Sequence, residues 1–154
     1  MNKIFIIFFM LCTLLVGQVC HSGQFKRGVV TSVSDGDTAT VKLSNGDILN
    51  VRFYGIDAPE SEWRDRWPAQ PYSIDAKAHA KFLIEGKNVS VRLTGDKTYS
   101  RVVGELFING RSVSKELVSQ GLAWWNSKYA PEDEGLKALE LAAQKQRYGL
   151  WKAS

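Results

Sequence analysis

Two hydrophobic periodicities take turns along this chain. Apolar and polar residues alternate with a period of two over 28–33, 38–43, 48–56, 89–93 and 102–108, the pattern of half-buried strands rich in β-branched and aromatic side chains. The spacing lengthens to that of an amphipathic helix from Ser73 to about Glu85, from Ser112 to Gln120, and from Pro131 toward Gly149. The stripes expected to face a core are Ala76, Ala80 and Leu83 in the first helix, Val113 and Leu117 in the second, and Leu136, Leu139 and Ala143 in the third.

Punctuation agrees with these periods. Asp35-Gly36 and Asn45-Gly46 predict tight hairpin turns that join the first three strands into a meander, and Asn109-Gly110 turns the chain after the fifth strand. Ser73 and Ser112 stand where helix N-caps are expected, and Gly86 and Gly121 where helices stop. Pro131 with Glu132, Asp133 and Glu134 suits the positive end of the third helix. Between strand three and the first helix, 61–72 reads as a loop. Its charges alternate in sign, Pro68 and Pro71 block regular structure, and Trp63 and Trp67 suit either packing the loop onto the barrel, the expected role, or a stacking face. Five strands and three helices make a β-rich α+β domain.

The third strand cannot continue past its own end. In Val51-Arg52-Phe53-Tyr54-Gly55-Ile56-Asp57-Ala58-Pro59-Glu60, Pro59 removes a ladder donor and holds Ala58 extended. Two carboxylates and a guanidinium therefore emerge where a rigid strand meets a turn. A second acidic group, Asp35-Gly36-Asp37-Thr38, lies upstream. Any one of these residues alone reads as an ordinary polar strand end.

The N-terminus belongs to another category. Lys3 precedes an apolar run over 4–16, followed by small and polar residues. That is the layout of a signal peptide, and the run is short for a membrane span of about 20 residues. The expected division is a cleaved leader at 1–23 and one domain at 24–154, exported to the periplasm or the medium, with no stable membrane association afterwards. Both cysteines, Cys12 and Cys20, go with the leader, so the mature domain must stand on core packing. The net charge of +4 loses only Lys3 on cleavage and stays mildly positive. That balance suits a polyanionic partner without requiring one.

Taken in order, Asp35-Gly36-Asp37-Thr38, Arg52 through Glu60, Tyr99-Ser100-Arg101, Gly121-Leu122-Ala123-Trp124 and Gly149-Leu150-Trp151 resemble the thermonuclease (staphylococcal nuclease-like) family from about Gly28 to Trp151. The resemblance implies a five-stranded oligonucleotide/oligosaccharide-binding (OB-fold) β-barrel with three helices. It implies a secreted, monomeric, Ca2+-dependent endonuclease that hydrolyses phosphodiester bonds of DNA and RNA to 3′-phosphorylated products. It places calcium on Asp37, Asp57 and the main-chain carbonyl of Ala58, assigns Glu60 to the attacking water, and puts Arg52 and Arg101 on the phosphate. Tyr99, Lys128 and Tyr129 are the implied nucleotide contacts.

The residue types suit those tasks. Carboxylates are hard donors for calcium or magnesium. A guanidinium donates two parallel hydrogen bonds to a phosphate, which an ammonium cannot reproduce. Asp35 reads as turn chemistry or as a group that orients Asp37, His79 as a helix-surface residue, and Trp124 and Trp125 as core or rim. The chain has Ser100 where the family usually has Gly, and the loop at Asp96-Lys97-Thr98 is one residue longer. The alternatives are a non-catalytic nucleic-acid-binding OB-fold module and an exported barrel for protein or sugar. Three acids between two arginines suit neither.

Overall fold

A computed structural model describes residues 25–61, 68–98 and 100–152. The expected leader, Trp63, Trp67 and Tyr99 lie outside the described residues. Strands β1 (Phe25–Asp35), β2 (Thr38–Leu43) and β3 (Ile48–Phe53) form the expected antiparallel meander. The expected third strand is split. Tyr54 and Gly55 turn, with Gly55 at φ 72°, and the chain resumes as the two-residue β4 (Ile56–Asp57). Positive φ is open to glycine at little cost, so Gly55 breaks the ladder that the alternation of Phe53 and Ile56 suggests.

Helix α1 (Ser73–Ile84) leads into β5 (Asn88–Thr98), which pairs antiparallel with the first half of β1. Strand β6 (Arg101–Ile108) pairs antiparallel with β5 and parallel with β3, Val51 lying opposite Val102. That last pairing closes β1, β2, β3, β6 and β5 into a barrel, which removes the free edges of the sheet. The architecture is the expected α+β OB-fold barrel with three helices. A short β7 (Arg111–Ser112) ends in helix α2 (Val113–Ser119), whose cap is the expected one: Ser112 Oγ accepts from the Lys115 N–H at 3.3 Å. The two-residue β8 (Trp124–Trp125) then pairs with β4, and helix α3 (Glu134–Gln146) and a 3-10 turn (Gly149–Trp151) finish the chain.

Several local expectations are corrected. Ser73 is the first helical residue rather than a cap. Tyr72 takes the cap position at φ 66°, and the Ser73 hydroxyl is buried without a hydrogen-bond partner among the described residues. The α1 stripe is Ala76, Ala80 and Ile84, with Leu83 only partly buried. Helix α3 starts three residues after Pro131, because Asp133 caps it by accepting from the Leu136 N–H at 3.0 Å. Gly36 is absent from the positive-φ glycines. It is needed for space: a Cβ there would stand 2.7 Å from Ala58 Cβ and 2.9 Å from Ala76 Cβ.

The barrel interior holds Val30, Ala39, Val41, Val51, Phe53, Val91 and Leu106, covered by α1 and by Leu117 and Val118 of α2. Each fully buried side chain of this size contributes about 1.5–3 kcal/mol. Residues 25–152 contain no cysteine, so this burial carries the fold. The landmarks at Gly121 and Gly149 meet in space: the Leu150 N–H donates to the Gly121 carbonyl at 2.9 Å, and a Cβ on Gly149 would stand 2.2 Å from that oxygen. This contact anchors the chain that carries β8 to the last turn.

Candidate active site

The turn after β1, the end of β3, β4 and the segment after β8 meet at one end of the barrel. The Phe53 N–H donates to the Asp37 carbonyl at 2.8 Å, which ties the acidic turn to the end of β3. Asp57 sits opposite Trp124 in the β4–β8 ladder. The side chains of Asp37, Arg52 and Asp57 thereby become one ion cluster. Arg52 reaches Asp37 Oδ2 with one guanidinium nitrogen at 3.0 Å and Asp57 Oδ1 with the other. The Asp37 side chain is 5% exposed, that of Arg52 16% and that of Asp57 43%. The cluster is thus anchored inside and open at Asp57.

Asp37 is held on three sides. Besides Arg52, it accepts from the Ala58 N–H at 3.1 Å and from the Thr38 hydroxyl at 2.9 Å. Burial still pushes its carboxyl up from the ordinary value, against the pull of Arg52 and these hydrogen bonds. Thr38 in turn accepts from Arg101 at 3.1 Å, so the second arginine is stationed beside the same acid.

Glu60 stands at the mouth. Its N–H donates to Gln70 Oε1 at 2.9 Å and its carbonyl accepts from the Gln70 N–H at 3.0 Å, which fixes the backbone beyond Pro59. Its carboxyl is pushed up, first by burial and then by the charges of Asp37 and Asp35 and a hydrogen bond with Asp35. Asp35 therefore does more than make a turn. It accepts from the Gly36 N–H and the Ser61 hydroxyl, both at 2.9 Å, and braces the Glu60–Ser61 segment rather than Asp37.

Arg52, Asp57, Glu60 and Arg101 line one hollow of about 460 Å3, which Tyr129 also borders. Tyr129 is 67% exposed, and the Lys128 ammonium stands 5.4 Å from its ring centroid without lining the hollow itself. His79 faces Glu116 of α2 at 4.0 Å, away from the hollow.

Asp96, Lys97 and Asn126 also line the hollow, although the sequence assigned none of the three to the site. Asp96 and Lys97 arrive through a β-bulge: Leu93 pairs with Gly104 but Lys97 with Val102, so the longer segment is absorbed inside β5 instead of lengthening its loop. Asn126 is the third. Its side-chain amide donates to Asp57 Oδ2, and its own Oδ1 accepts from the N–H groups of Lys128 and Tyr129 at 3.2 and 3.3 Å. The signal available for it was an Asx turn in Asn126-Ser127-Lys128-Tyr129.

Asp37 and Asp57 already share one cation, the guanidinium of Arg52, so their oxygens converge on a single positive charge. Among the described residues no three His, Cys, Asp or Glu side chains group for a metal. A hard cation here would rest on two carboxylates and take its other oxygens from carbonyl, hydroxyl or water. All-oxygen shells of that kind suit calcium. The donor chemistry fits.

The sequence pattern of the family described as staphylococcal nuclease homologue matches residues 50–153. The chain belongs to that family. It is 36% identical over 136 residues to a probable staphylococcal-like nuclease of Oryza sativa subsp. japonica, covering 85% of this chain and 39% of the rice protein. It is 32% identical over 126 residues to an uncharacterized endonuclease of Escherichia coli, covering 81% and 76%. A staphylococcal-like nuclease of Arabidopsis thaliana is 31% identical over 118 residues, covering 74% and 34%. The chain thus spans between a third and two fifths of these plant relatives and about three quarters of the bacterial one.

Proposed function

We propose that this protein is an exported, calcium-dependent nuclease that hydrolyses phosphodiester bonds of DNA and RNA and leaves 3′-phosphorylated products. The observation that carries the reading is the hollow lined by Arg52, Asp57, Glu60 and Arg101, with the buried Asp37 joined to it through Arg52 and Thr38. Family membership and relatives named as nucleases support it.

Hydrolysis needs an oriented water and compensation for the charge that builds on the phosphoryl oxygens. Asp37 and Asp57, with the Ala58 carbonyl, are the groups that would hold calcium. Bound there, the ion supplies a Lewis acid for a phosphate oxygen. Glu60 accepts a proton from the attacking water or fixes its direction. Its raised carboxyl value brings it nearer the range where a general base works best. Arg101, seated on Thr38, and the free edge of Arg52 donate to the phosphate. Tyr129 offers an aromatic face to a base, with Lys128 beside it. Tyr99 completes the proposed nucleotide contacts.

Gel zymograms with DNA or RNA, with and without calcium, test the reading: clearing in both, only with calcium, is expected. Oligonucleotide binding without turnover under any metal would replace the enzyme by a binding module. Export rests on Lys3 and the apolar run behind it. N-terminal sequencing of protein recovered outside the cytoplasm should begin near Gly23.

A further inference from the structure

A second hollow adjoins the first. It measures about 500 Å3 and is bordered by Ser34, Asn50, Lys77 and Ser100, and it shares Glu60 and Arg101 with the hollow of about 460 Å3. Each lies within the size range of small-molecule sites, roughly 300–1,000 Å3. Glu60, assigned to the attacking water, and Arg101, assigned to the phosphate, therefore form the divide between two nucleotide-sized spaces. A phosphodiester seated on that divide has one nucleoside on each side of it.

The two spaces differ in chemistry. The first has the exposed ring of Tyr129 and the Asp96–Lys97 bulge. The second offers neutral hydrogen-bonding groups and one ammonium. Asn50 accepts from the Thr40 hydroxyl at 3.1 Å through its carbonyl oxygen, which leaves its amide N–H groups for a ligand. Lys77, half-buried on α1, makes no ion pair among the described residues. Asp35, which also borders this space, is turned to Ser61 and Gly36.

Resting on the nuclease reading above, we infer that this second hollow is the subsite for the nucleotide on the far side of the scissile bond, with Lys77 on that nucleotide's outer phosphate. Substrate then runs across the divide, continuous on both sides, and cleavage is internal. Among the described residues this space is lined by hydroxyl, amide, carboxylate and cationic groups, which suit the sugar and phosphate of its occupant.

Lys77→Ala and Lys77→Arg test this with two substrates: a short single-stranded oligodeoxynucleotide and a chromogenic nucleoside phosphodiester that carries a single nucleoside. Lys77→Ala should weaken the oligonucleotide's KM by about 10-fold or more, as for loss of one charge-assisted contact, and more than it affects the diester. Lys77→Arg should restore most of it. Titrations of the oligonucleotide in chelator, at several salt concentrations, should show the slope of log K against log salt reduced by about 0.7 in Lys77→Ala, the share of one phosphate on a single strand. An unchanged slope and affinity would overturn the subsite, as would equal losses on both substrates, or no oligonucleotide binding by the parent at low salt. Absence of turnover by the parent on either substrate overturns the nuclease reading instead, and the salt titration still reads Lys77.

Discussion

Asn126 donates its side-chain amide to Asp57, on the carboxylate oxygen opposite the one that Arg52 holds. The segment after β8 thus sets the rotation of a carboxylate that β4 carries. The same side chain, through its oxygen, shapes the turn that presents Tyr129.

Asn126→Ala should lower calcium affinity and turnover together by about 10-fold or more, the usual effect of removing a partner that orients a ligand. Asn126→Ser can still cap the turn but cannot reach Asp57, so it should lose calcium affinity while keeping the oligonucleotide KM. Calorimetric titration with calcium, beside steady-state kinetics, separates the two. Calcium affinity unchanged in both variants would confine Asn126 to the turn.

The legible part of this fold is the part set by local chemistry. Alternation marked the five barrel strands, and Ser112 marked its helix. The acidic turn and Arg52 through Glu60 stood out because Pro59 ends a strand among charges. What escaped depends on contacts distant in sequence. Asn126 acts on a residue 69 positions earlier. The β5 bulge is defined only by its partner β6, and so is the placement of Asp96 and Lys97. Gly36 looked like a hairpin residue, yet its role is set by Ala58 and Ala76 pressing on it. Asp133 outcompeted Pro131 for the start of α3 because its side chain caps the helix.

Chelation should abolish turnover, and calcium should restore it better than magnesium. Two carboxylates and assorted neutral oxygens make an irregular shell, which calcium tolerates and magnesium, with its octahedral demand, does not. Full activity in excess chelator would remove calcium from the mechanism.

Arg101→Lys and Arg52→Lys should each lower kcat by about 10²- to 10³-fold, the range for a missing transition-state donor. The structure separates their side effects. Among the described residues the Arg101 side chain holds one hydrogen bond, to Thr38, so its variant should keep the parent Tm. Arg52 bridges two carboxylates, and one ammonium cannot replace both contacts. Its variant should also melt at lower temperature. Near-parental kcat in both would assign these groups to the fold or to general electrostatics.

Glu60→Gln separates chemistry from stability. Burial, with Asp37 and Asp35, raises the folded carboxyl value above that of the unfolded chain. A group raised in this way favours the fold fully below the ordinary carboxylate range, and that contribution is lost as pH rises through the folded value. Above the folded value the ionised Glu60 is therefore a cost to folding. Glu60→Gln, melted in chelator, should show a higher Tm than the parent at neutral pH, with the difference closing in acid. Its turnover should fall by about 10²- to 10⁴-fold if the carboxylate takes a proton from water. Oligonucleotide binding should hold or tighten, since a negative charge beside the phosphate has gone. Unchanged kcat would remove Glu60 from the mechanism, whereas a lower Tm at neutral pH would mean that its hydrogen bonding outweighs its charge.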